Sequence, residues 1–310
     1  MSRALITGHK GFVGSHFYRY LSSAGWRVHG VDIIGSPGAD ARELFLDNSY
    51  QYYDVVNRPN VDLVVHCAAI VGGRKTIDGA PLALASNLEL DAGLFQWALR
   101  ARPKRILYFS SSAVYPVREQ NRHRRTGLRE GMVRPQLDTT DVGIPDQLYG
   151  WAKLTGENLA WRAAQEGLNV SIVRPFSGYG EDQPESYPFP AFIDRALRKE
   201  DPFTIWGDGT QTRDFIHIND IVEACMEICG QDVPGPVNLG WGRPTTMTDL
   251  ASLINMAANG RLPAFEYHND EPRGVHYRVA DTELMRKFYT PRITLEEGIR
   301  MALDYRSKLA

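Results

Sequence analysis

Three glycines near the start of the chain constrain its fold more than any other feature. Gly8, Gly11 and Gly14 lie in ITGHKGFVGSH, directly after the short apolar run at residues 4–7. The apolar residues that follow have helical spacing, so the segment predicts a strand, a tight turn and a helix. Residues without a Cβ let the backbone approach a pyrophosphate, and the helix N-terminus then faces the anion. This order of elements predicts a dinucleotide-binding loop.

A carboxylate at the end of the second predicted strand supports that interpretation. Asp32 ends RVHGVD and comes 18 residues after Gly14. A carboxylate there can bind both ribose hydroxyls of NAD, and it would repel the 2′-phosphate of NADP. We therefore expect NAD as the cofactor; the alternative is a glycine-rich turn followed by an unrelated aspartate.

Short apolar runs alternate with helical patterns through the first half of the chain. VDLVVHCAA and RILYFSSS are continuous apolar runs, as expected for strands covered on both faces. The alternation predicts an α/β fold with a doubly wound parallel sheet, the Rossmann arrangement. After residue 175 the elements are shorter and interrupted by prolines and glycines, which predicts a smaller α/β substrate-binding lobe. We expect residues 1–175 to form the cofactor-binding domain, with residues 214–240 returning to it, and residues 176–310 to form the smaller lobe.

The composition of the chain limits which partners and which cellular compartment we expect. The formal net charge of -2 gives no reason to expect nucleic acid or a membrane as a partner. No apolar run approaches the roughly 18 residues that span a bilayer, and the start of the chain lacks a signal-peptide layout. The three cysteines lack metal-ligand spacing, so we predict buried thiols in a reducing compartment and no metal site. These features predict a cytoplasmic protein.

Tyr149 and Lys153 are the first candidates for chemistry. They are four residues apart in QLYGWAKLTGENLA, so a helix places both side chains on one face. An ammonium near a phenol lowers the phenol pKa and favours its use as a base. Taken alone, the pair could equally be an ordinary helical pair. Ser111, near the end of the fifth predicted strand, is expected at the ligand crevice, because the strand ends of a doubly wound sheet point there.

Several segments in the same order resemble the extended short-chain dehydrogenase/reductase family, in particular its nucleotide-sugar epimerases and dehydratases. The segments are TGHKGFVG, VVHCAA, SSSAVY, YGWAK, RPFSGYG and TRDFIHINDIV, and the resemblance covers nearly the whole chain. It implies an NAD-dependent enzyme with Ser111, Tyr149 and Lys153 as catalytic residues. It also implies a UDP- or GDP-linked nucleotide-sugar as the substrate, bound in the smaller lobe.

The resemblance extends to individual binding residues. For the cofactor it implies contacts from Gly8, Gly11, Phe12, Val13, Gly14, Asp32, Asp54, Ala68, Ala69, Asn87, Tyr149, Lys153 and Pro175. For the substrate it implies contacts from Ser111, Ser112, Ser177, Arg213 and Arg273.

The residues after Ser111 reduce the number of reactions that the family resemblance allows. In the family's 4,6-dehydratases an Asp–Glu pair follows the active-site Ser or Thr, whereas this chain has Ser112 and Ala113. Related decarboxylases have Glu at the position of Ala113, and GDP-sugar 3,5-epimerases have Cys. The remaining simple chemistry is removal and return of hydride at one carbon, so we expect a 4-epimerase that regenerates NAD in each cycle.

Two features keep other reactions open. AAIVGG, at residues 68–73, resembles the loop of GDP-sugar 3,5-epimerases and epimerase-reductases, and Ser177 stands where the family usually has Asn. The alternatives are therefore a GDP-sugar 3,5-epimerase, a keto-sugar reductase and a 4,6-dehydratase with relocated acids. A non-catalytic nucleotide-binding protein is the alternative from another class.

The segment from residue 116 to residue 147 departs from the pattern because it is polar and has no clear period. It is either a solvated surface insertion or a lid that meets an anionic substrate; its arginines are Arg118, Arg122, Arg124, Arg125, Arg129 and Arg134.

The predicted helices around residues 87–100 and 149–165 carry apolar residues on more than one face, which favours burial against something besides the home sheet. The family pairs such helices between subunits, so we expect a homodimer.

Overall fold

The computed structural model describes residues 1–32, 61–72, 83–133, 143–271 and 273–309. The α-helices of the described residues are α1 (Phe12–Ser23), α2 (Ala83–Ala101), α3 (Gln147–Gln165), α4 (Pro188–Leu197), α5 (Ile218–Cys229), α6 (Met247–Asn259) and α7 (Leu295–Ser307). The strands are β1 (Arg3–Thr7), β2 (Arg27–Val31), β3 (Leu63–His66), β4 (Ile106–Phe109), β5 (Val170–Pro175), β6 (Ser177–Tyr179), β7 (Phe203–Trp206), β8 (Thr212–Arg213), β9 (Phe215–His217), β10 (Pro236–Leu239), β11 (Thr245–Thr246), β12 (Phe265–His268) and β13 (Tyr277–Arg278).

Six strands form a parallel central sheet in the order β10-β5-β4-β3-β1-β2. Every residue of β3 and β4 is buried, as predicted for strands with both faces covered. β2 lies on one side of β1 and β3 on the other, so the strand order reverses at β1. The carboxyl ends of β1, β3, β4 and β5 share one edge of the sheet. In such sheets the ligand crevice lies outside that edge.

Helices cover the sheet on both faces, and alternate strand residues show why. Ala4 and Ile6 of β1 belong to a buried cluster with α1 and α5, whereas Leu5 belongs to a second cluster with α2 and α3. Successive strand side chains point to opposite faces, so one apolar strand supplies both cores. The predicted doubly wound sheet is confirmed.

The chain after β5 builds a smaller α/β lobe and also adds to the central sheet. A third buried cluster joins α4, α6 and α7 to β7 and β9 through Phe189, Phe203, Leu250 and Ile299. Between these elements, β10 pairs with β5 in parallel, and α5 packs on the same face of the sheet as α1. Residues 236–239 therefore complete one edge of the central sheet.

The first part of the polar segment after residue 116 is packed against the fold. Gln120, Leu128 and Val133 are buried, and Leu128 forms a bridge with Ala280. Residues 121–123 are exposed, so residues 116–133 combine solvated positions with buried ones. Buried polar partners satisfy part of the backbone: Arg174 donates to the Val133 carbonyl at 3.1 Å.

Among the described residues, none of the helices has the length and apolar character needed to cross a membrane.

Candidate active site

A cavity of about 710 Å³ opens at the carboxyl edge of the central sheet, between the sheet and the smaller lobe. The N-terminus of α1, the chain after β3 and β4, the first turns of α3 and the end of β5 line one side of it. The smaller lobe lines the other side with residues that include Gln211, Arg213 and Arg273. A large cleft with polar groups converging on it is the usual form of a small-molecule site.

The glycine loop lies where the sequence predicts, between β1 and α1. Gly8 has φ 71°, and a Cβ there would lie 2.8 Å from the Ala68 nitrogen. A Cβ on Gly14 would overlap the Gly8 carbonyl oxygen. Gly11 precedes α1 without a capping side chain, so the first N–H groups of the helix are not satisfied by a cap. The loop therefore fits a pyrophosphate, and Phe12 and Val13 line the cavity beside it.

The other predicted cofactor residues surround this loop. Asp32 is 8% exposed directly after β2, and its carboxylate accepts the Lys10 N–H at 2.8 Å. Ala69 and Pro175 line the cavity, whereas Ala68 donates its N–H to Thr7 Oγ1 at 3.2 Å.

Asn87 is completely buried, and its amide group bonds to both backbone groups of Ile70, at 2.6 and 3.0 Å. In this structure Asn87 holds the loop after β3, so it would act on a cofactor through that loop. The remaining predicted cofactor residue, Asp54, lies outside the described residues.

Ser111, Tyr149 and Lys153 meet at one wall of the cavity. Ser111 precedes a short 3-10 helix at residues 112–114, and its hydroxyl accepts the Ala113 N–H at 3.1 Å. Tyr149 and Lys153 are one turn apart on α3, and both line the cavity with Ser111. The geometry brings together the three residues proposed for catalysis from the sequence.

The protonation of Tyr149 differs from the sequence expectation. Burial raises the pKa of Tyr149 to about 12, although hydrogen bonding to Ser111 acts in the opposite direction. The sequence predicts that Lys153 lowers the pKa of Tyr149, but Lys153 is not among the main influences on it. The charge of Asp91 raises the pKa of Tyr149, and the charge of Arg278 lowers it. Lys153 is 2% exposed, and its ammonium lies over the Tyr108 ring, 5.2 Å from the ring centre.

Sequence reasoning missed the polar residues behind this trio. Asp91 is 1% exposed on α2 and accepts hydrogen bonds from the Tyr108 hydroxyl at 2.6 Å and His66 Nε2 at 3.1 Å. Glu157 on α3 accepts two hydrogen bonds of 2.7 Å from the guanidinium of Arg174, which is completely buried. A carboxylate within an apolar helical pattern, as in LELDAGLF, was the available signal for Asp91.

The two described residues that directly follow Ser111 in the cavity lining are not acids, and the acids elsewhere in the lining are Asp146 and Glu185. Ser112 and Ala113 are 5% and 4% exposed and line the cavity directly after Ser111. Asp146 also lines it, but its carboxylate is bound by Arg278 at 2.6 Å. Position 113 therefore supplies neither a carboxyl group nor a thiol to a bound sugar.

The predicted substrate residues Ser177, Arg213 and Arg273 all line the cavity on the side of the smaller lobe. Arg213 donates to the Arg273 carbonyl at 3.2 Å, and Arg273 lies 3.3 Å from an oxygen of the exposed Asp208. Guanidinium groups that line a cavity suit a diphosphate, because they form paired hydrogen bonds with phosphate oxygens.

Gln211, which sequence reasoning did not select, is 5% exposed and also lines the cavity. Its Oε1 atom is buried without a hydrogen-bond partner, which leaves an acceptor available on this wall.

Curated relatives match nearly the whole chain. GDP-mannose 3,5-epimerase of Arabidopsis thaliana is 28% identical over 312 residues, covering 96% of this chain and 80% of that protein. UDP-glucuronate 4-epimerase of Thermodesulfobacterium geofontis is 25% identical over 329 residues, covering 98% of this chain and 96% of that protein. The two relatives have different activities at similar identity, so neither one specifies the reaction of this chain.

Solved structures share the whole architecture. MoeE5 in complex with UDP-glucose and NAD is 28% identical, covers 100% of both chains and has a TM-score of 0.80. UDP-glucose 4-epimerase from Thermotoga maritima, in a complex with UDP-glucose, has a TM-score of 0.81 at 22% identity, with 99% and 100% of the chains covered, and supports the fold. The model of the NAD dependent epimerase/dehydratase family matches residues 4–240. The glycine loop, the parallel sheet and this match together show that the chain belongs to the NAD dependent epimerase/dehydratase family, with NAD as its cofactor.

Proposed function

We propose that the protein is a nucleotide-sugar 4-epimerase in which Tyr149 is the base. The observation that carries this proposal is the environment of Ser111: the site has the Ser–Tyr–Lys set for moving a hydroxyl proton, and Ala113 follows it in the cavity. Elimination of water or exchange of a carbon-bound proton needs a further acid or base beside the sugar. A reversible oxidation at one carbon needs none.

Each residue of the site has a separate role in this proposal. NAD would supply a hydride acceptor and donor for the sugar C4 when it is bound. Tyr149 accepts the proton of the 4-hydroxyl and later gives it back to the same oxygen, after the 4-keto sugar has turned its other face to the cofactor. The Ser111 hydroxyl, which lines the cavity with Tyr149 and lowers its pKa, would orient this proton transfer. Lys153 would hold the nicotinamide ribose, as expected from the family resemblance.

The raised pKa of Tyr149 limits when it can act as a base. With a pKa of about 12, the phenol is neutral near pH 7. Added positive charge in the cavity stabilises the phenolate and lowers this pKa. The oxidised cofactor carries such a charge, so we expect Tyr149 to act as a base in the NAD-bound protein.

A 3,5-epimerase is the second candidate, and the relation to GDP-mannose 3,5-epimerase favours it. Such a reaction needs a base that removes a proton from carbon. Cys67 lines the cavity, but burial raises the pKa of its thiol to about 12. Burial also raises the pKa of Tyr149 to about 12, so the thiol pKa does not separate the two candidates; the absence of a carboxyl group or thiol at Ala113 favours the 4-epimerase.

The substrate proposal is a UDP- or GDP-linked sugar whose diphosphate lies near Arg213 and Arg273. The lobe after residue 175 would hold the nucleotide, and the domain formed by residues 1–175 with residues 214–240 would hold NAD.

The test uses purified protein without added cofactor, mixed with UDP-, GDP-, CDP- and dTDP-sugars in heavy water. Products are separated by chromatography and weighed by mass spectrometry. An isomer without deuterium on carbon is the expected result. An isomer that gains carbon-bound deuterium would support the 3,5-epimerase, and loss of water would indicate a dehydratase.

We also propose a homodimer that uses α2 and α3. Three large apolar side chains on these helices are exposed: Leu88 by 40%, Leu148 by 52% and Trp151 by 43%. Pairing the two helices with their copies in a second subunit would cover these side chains. Light scattering at micromolar concentration should give twice the mass of one chain, and a monomer would contradict the proposal.

A further inference from the structure

The helix that carries Tyr149 begins in an uncommon way. Asp146 is the N-cap residue of α3, and aspartate is favoured there because its carboxylate can accept N–H groups of the first turn. Asp146 makes no such capping hydrogen bond. The next residue, Gln147, has φ 58°, in the left-handed region that a residue with a side chain adopts at an energetic cost. Such a helix start persists only when surrounding contacts hold it.

The carboxylate of Asp146 binds a distant strand instead of its own helix. Arg278 Nη2, on β13, donates to Asp146 Oδ2 at 2.6 Å. The side chains of Arg278 and Asp146 are 14% and 8% exposed, so water screens the pair little. Arg278 Nε donates to Gln120 Oε1, also at 2.6 Å, and Gln120 is 1% exposed. Two bonds therefore fix the guanidinium group, and the guanidinium group fixes the carboxylate.

Arg278 links this ion pair to the residues proposed to bind the substrate. It ends β13, which pairs with β8 in parallel so that Arg278 lies opposite Arg213. Arg213 donates to the Arg273 carbonyl at 3.2 Å, and all three arginines line the cavity. The arginine that holds the start of α3 therefore belongs to the same small sheet as Arg213.

The first turn of α3 is also fixed against the chain that follows Ser111. The Asp146 N–H donates to the Ala113 carbonyl at 2.8 Å, and the Gly150 N–H donates to the Asp146 carbonyl at 3.0 Å. A Cβ on Gly150 would overlap the Ala113 carbonyl oxygen. Tyr149 lies between these two points of contact, so a shift of the first turn would move it relative to Ser111.

We propose that Asp146 and Arg278 are positioning residues: their ion pair holds the first turn of α3 against β13 and keeps the Tyr149 hydroxyl in line with a sugar bound beside Ser111. The proposal rests on the role of base given to Tyr149 in the proposed function. Proton transfer between positioned groups is sensitive to displacements of about 1 Å, so a small shift of this turn is enough to slow the reaction.

Asp146→Ala tests the proposal, because it removes the carboxylate without removing a helix cap. The backbone N–H that donates to Ala113 is kept. The readout is hydrogen exchange of the Gly150 amide in the full chain, measured by NMR, with the amides of residues 160–165 at the other end of α3 as the reference. We expect exchange at Gly150 to be faster by about tenfold, the order expected when a hydrogen bond between charged groups is lost, and unchanged exchange at residues 160–165.

Asp194→Ala is the matched control. Asp194 and Arg306 form another ion pair, of 2.7 Å, whose side chains are 15% and 12% exposed. Its loss should leave exchange at Gly150 equal to wild type. Arg278→Lys keeps the charge, but one ammonium cannot reproduce both bonds of the guanidinium in their fixed geometry. It should accelerate exchange at Gly150 as Asp146→Ala does, which covers failure of the first variant to fold.

Unchanged exchange at Gly150 in the folded variants of the Asp146–Arg278 pair would overturn the proposal. An equal acceleration at Gly150 in Asp194→Ala would overturn it too, because the effect would then come from general destabilisation.

Steady-state kinetics separate positioning from a merely structural role. With a nucleotide-sugar that the protein converts, Asp146→Ala should lower kcat by about 10–10²-fold and change KM by less than about twofold. Asp194→Ala should leave both constants unchanged. A wild-type kcat in Asp146→Ala, or a higher KM alone, would overturn the proposal. If wild type converts no nucleotide-sugar, the proposed function fails, whereas the exchange experiment needs no substrate and still decides whether the ion pair holds α3.

Discussion

Removing the carboxylate of Glu157 should destabilise the protein strongly, because it would leave a charge buried without a partner. Arg174 is completely buried, and Glu157 is 4% exposed; both guanidinium–carboxylate hydrogen bonds are 2.7 Å. Breaking a buried ion pair by removing one partner costs about 3–5 kcal/mol. We therefore expect Glu157→Ala to lower the free energy of unfolding by about that amount.

The expected shift in melting temperature follows from the chain length. Unfolding entropy is about 2.1 cal/mol/K per residue, so 310 residues give about 0.65 kcal/mol/K. A loss of about 3–5 kcal/mol then lowers the melting temperature by roughly 5–8 °C. Thermal unfolding followed by circular dichroism measures the shift.

Asp304→Ala is the matched control for Glu157→Ala. Asp304 and Lys308 form an ion pair of 2.6 Å, but both side chains are 69% exposed. Such helical surface pairs contribute about 0.3–0.5 kcal/mol, so the melting temperature should fall by less than about 1 °C. Similar shifts in the two variants would refute the reasoning that burial, rather than pairing itself, sets the cost.

Three further predictions concern the base, the cofactor loop and acid stability. Tyr149→Phe should lower kcat by about 10²–10⁴, because the proton acceptor is lost, while NAD binding measured by calorimetry stays unchanged; an active variant would contradict the role. Gly14→Ala should lower cofactor occupancy of the purified protein, because its Cβ would overlap the Gly8 carbonyl oxygen; full occupancy would contradict the fit. Burial opposes ionisation of Asp182, yet its pKa is held at about 2, chiefly by the hydrogen bond from His16. This depressed pKa contributes about 2 kcal/mol to the free energy of unfolding above pH 4, and the contribution is lost as the pH falls toward 2. Asp182→Asn lacks this contribution, so its free energy of unfolding should fall less steeply than that of wild type over that range. Identical acid titration curves for the two proteins would contradict the prediction.

Local patterns in the sequence are enough to predict the sheet and the cavity wall that holds Ser111, Tyr149 and Lys153. The first strand, the glycine turn and α1 follow one another within 25 residues, so spacing alone orders them. Tyr149 and Lys153 are neighbours on one helix, where a separation of four residues fixes their common face. Ser111 follows β4 closely, and the ends of parallel strands meet at one edge.

Contacts between distant segments could not be predicted in this way. Arg174 reaches back to Glu130 and Val133, residues in a stretch whose polar composition suggested solvation. The composition of residues 116–133 gives no sign that a buried arginine elsewhere satisfies their carbonyl groups. Asp91 depends equally on tertiary contacts, because its hydrogen-bond partners Tyr108 and His66 lie on β4 and β3.

The surroundings of Asn87 also depend on tertiary packing. Its predicted contact with the cofactor stays a prediction, and its amide bonds to the backbone of Ile70 in the loop after β3. A motif gives the position of a residue in the fold, whereas the role of its side chain depends on the neighbours that tertiary packing brings to it.

The most direct test of the central claim follows the hydrogen on the reacting carbon. A nucleotide-sugar that the protein converts is prepared with deuterium at C4 and incubated in ordinary water without added cofactor. If hydride leaves and returns at that carbon, the epimer keeps its deuterium at C4 with inverted configuration, and this is the predicted result. An isomer inverted at C3 or C5, with hydrogen from water at the inverted carbon, would contradict the account.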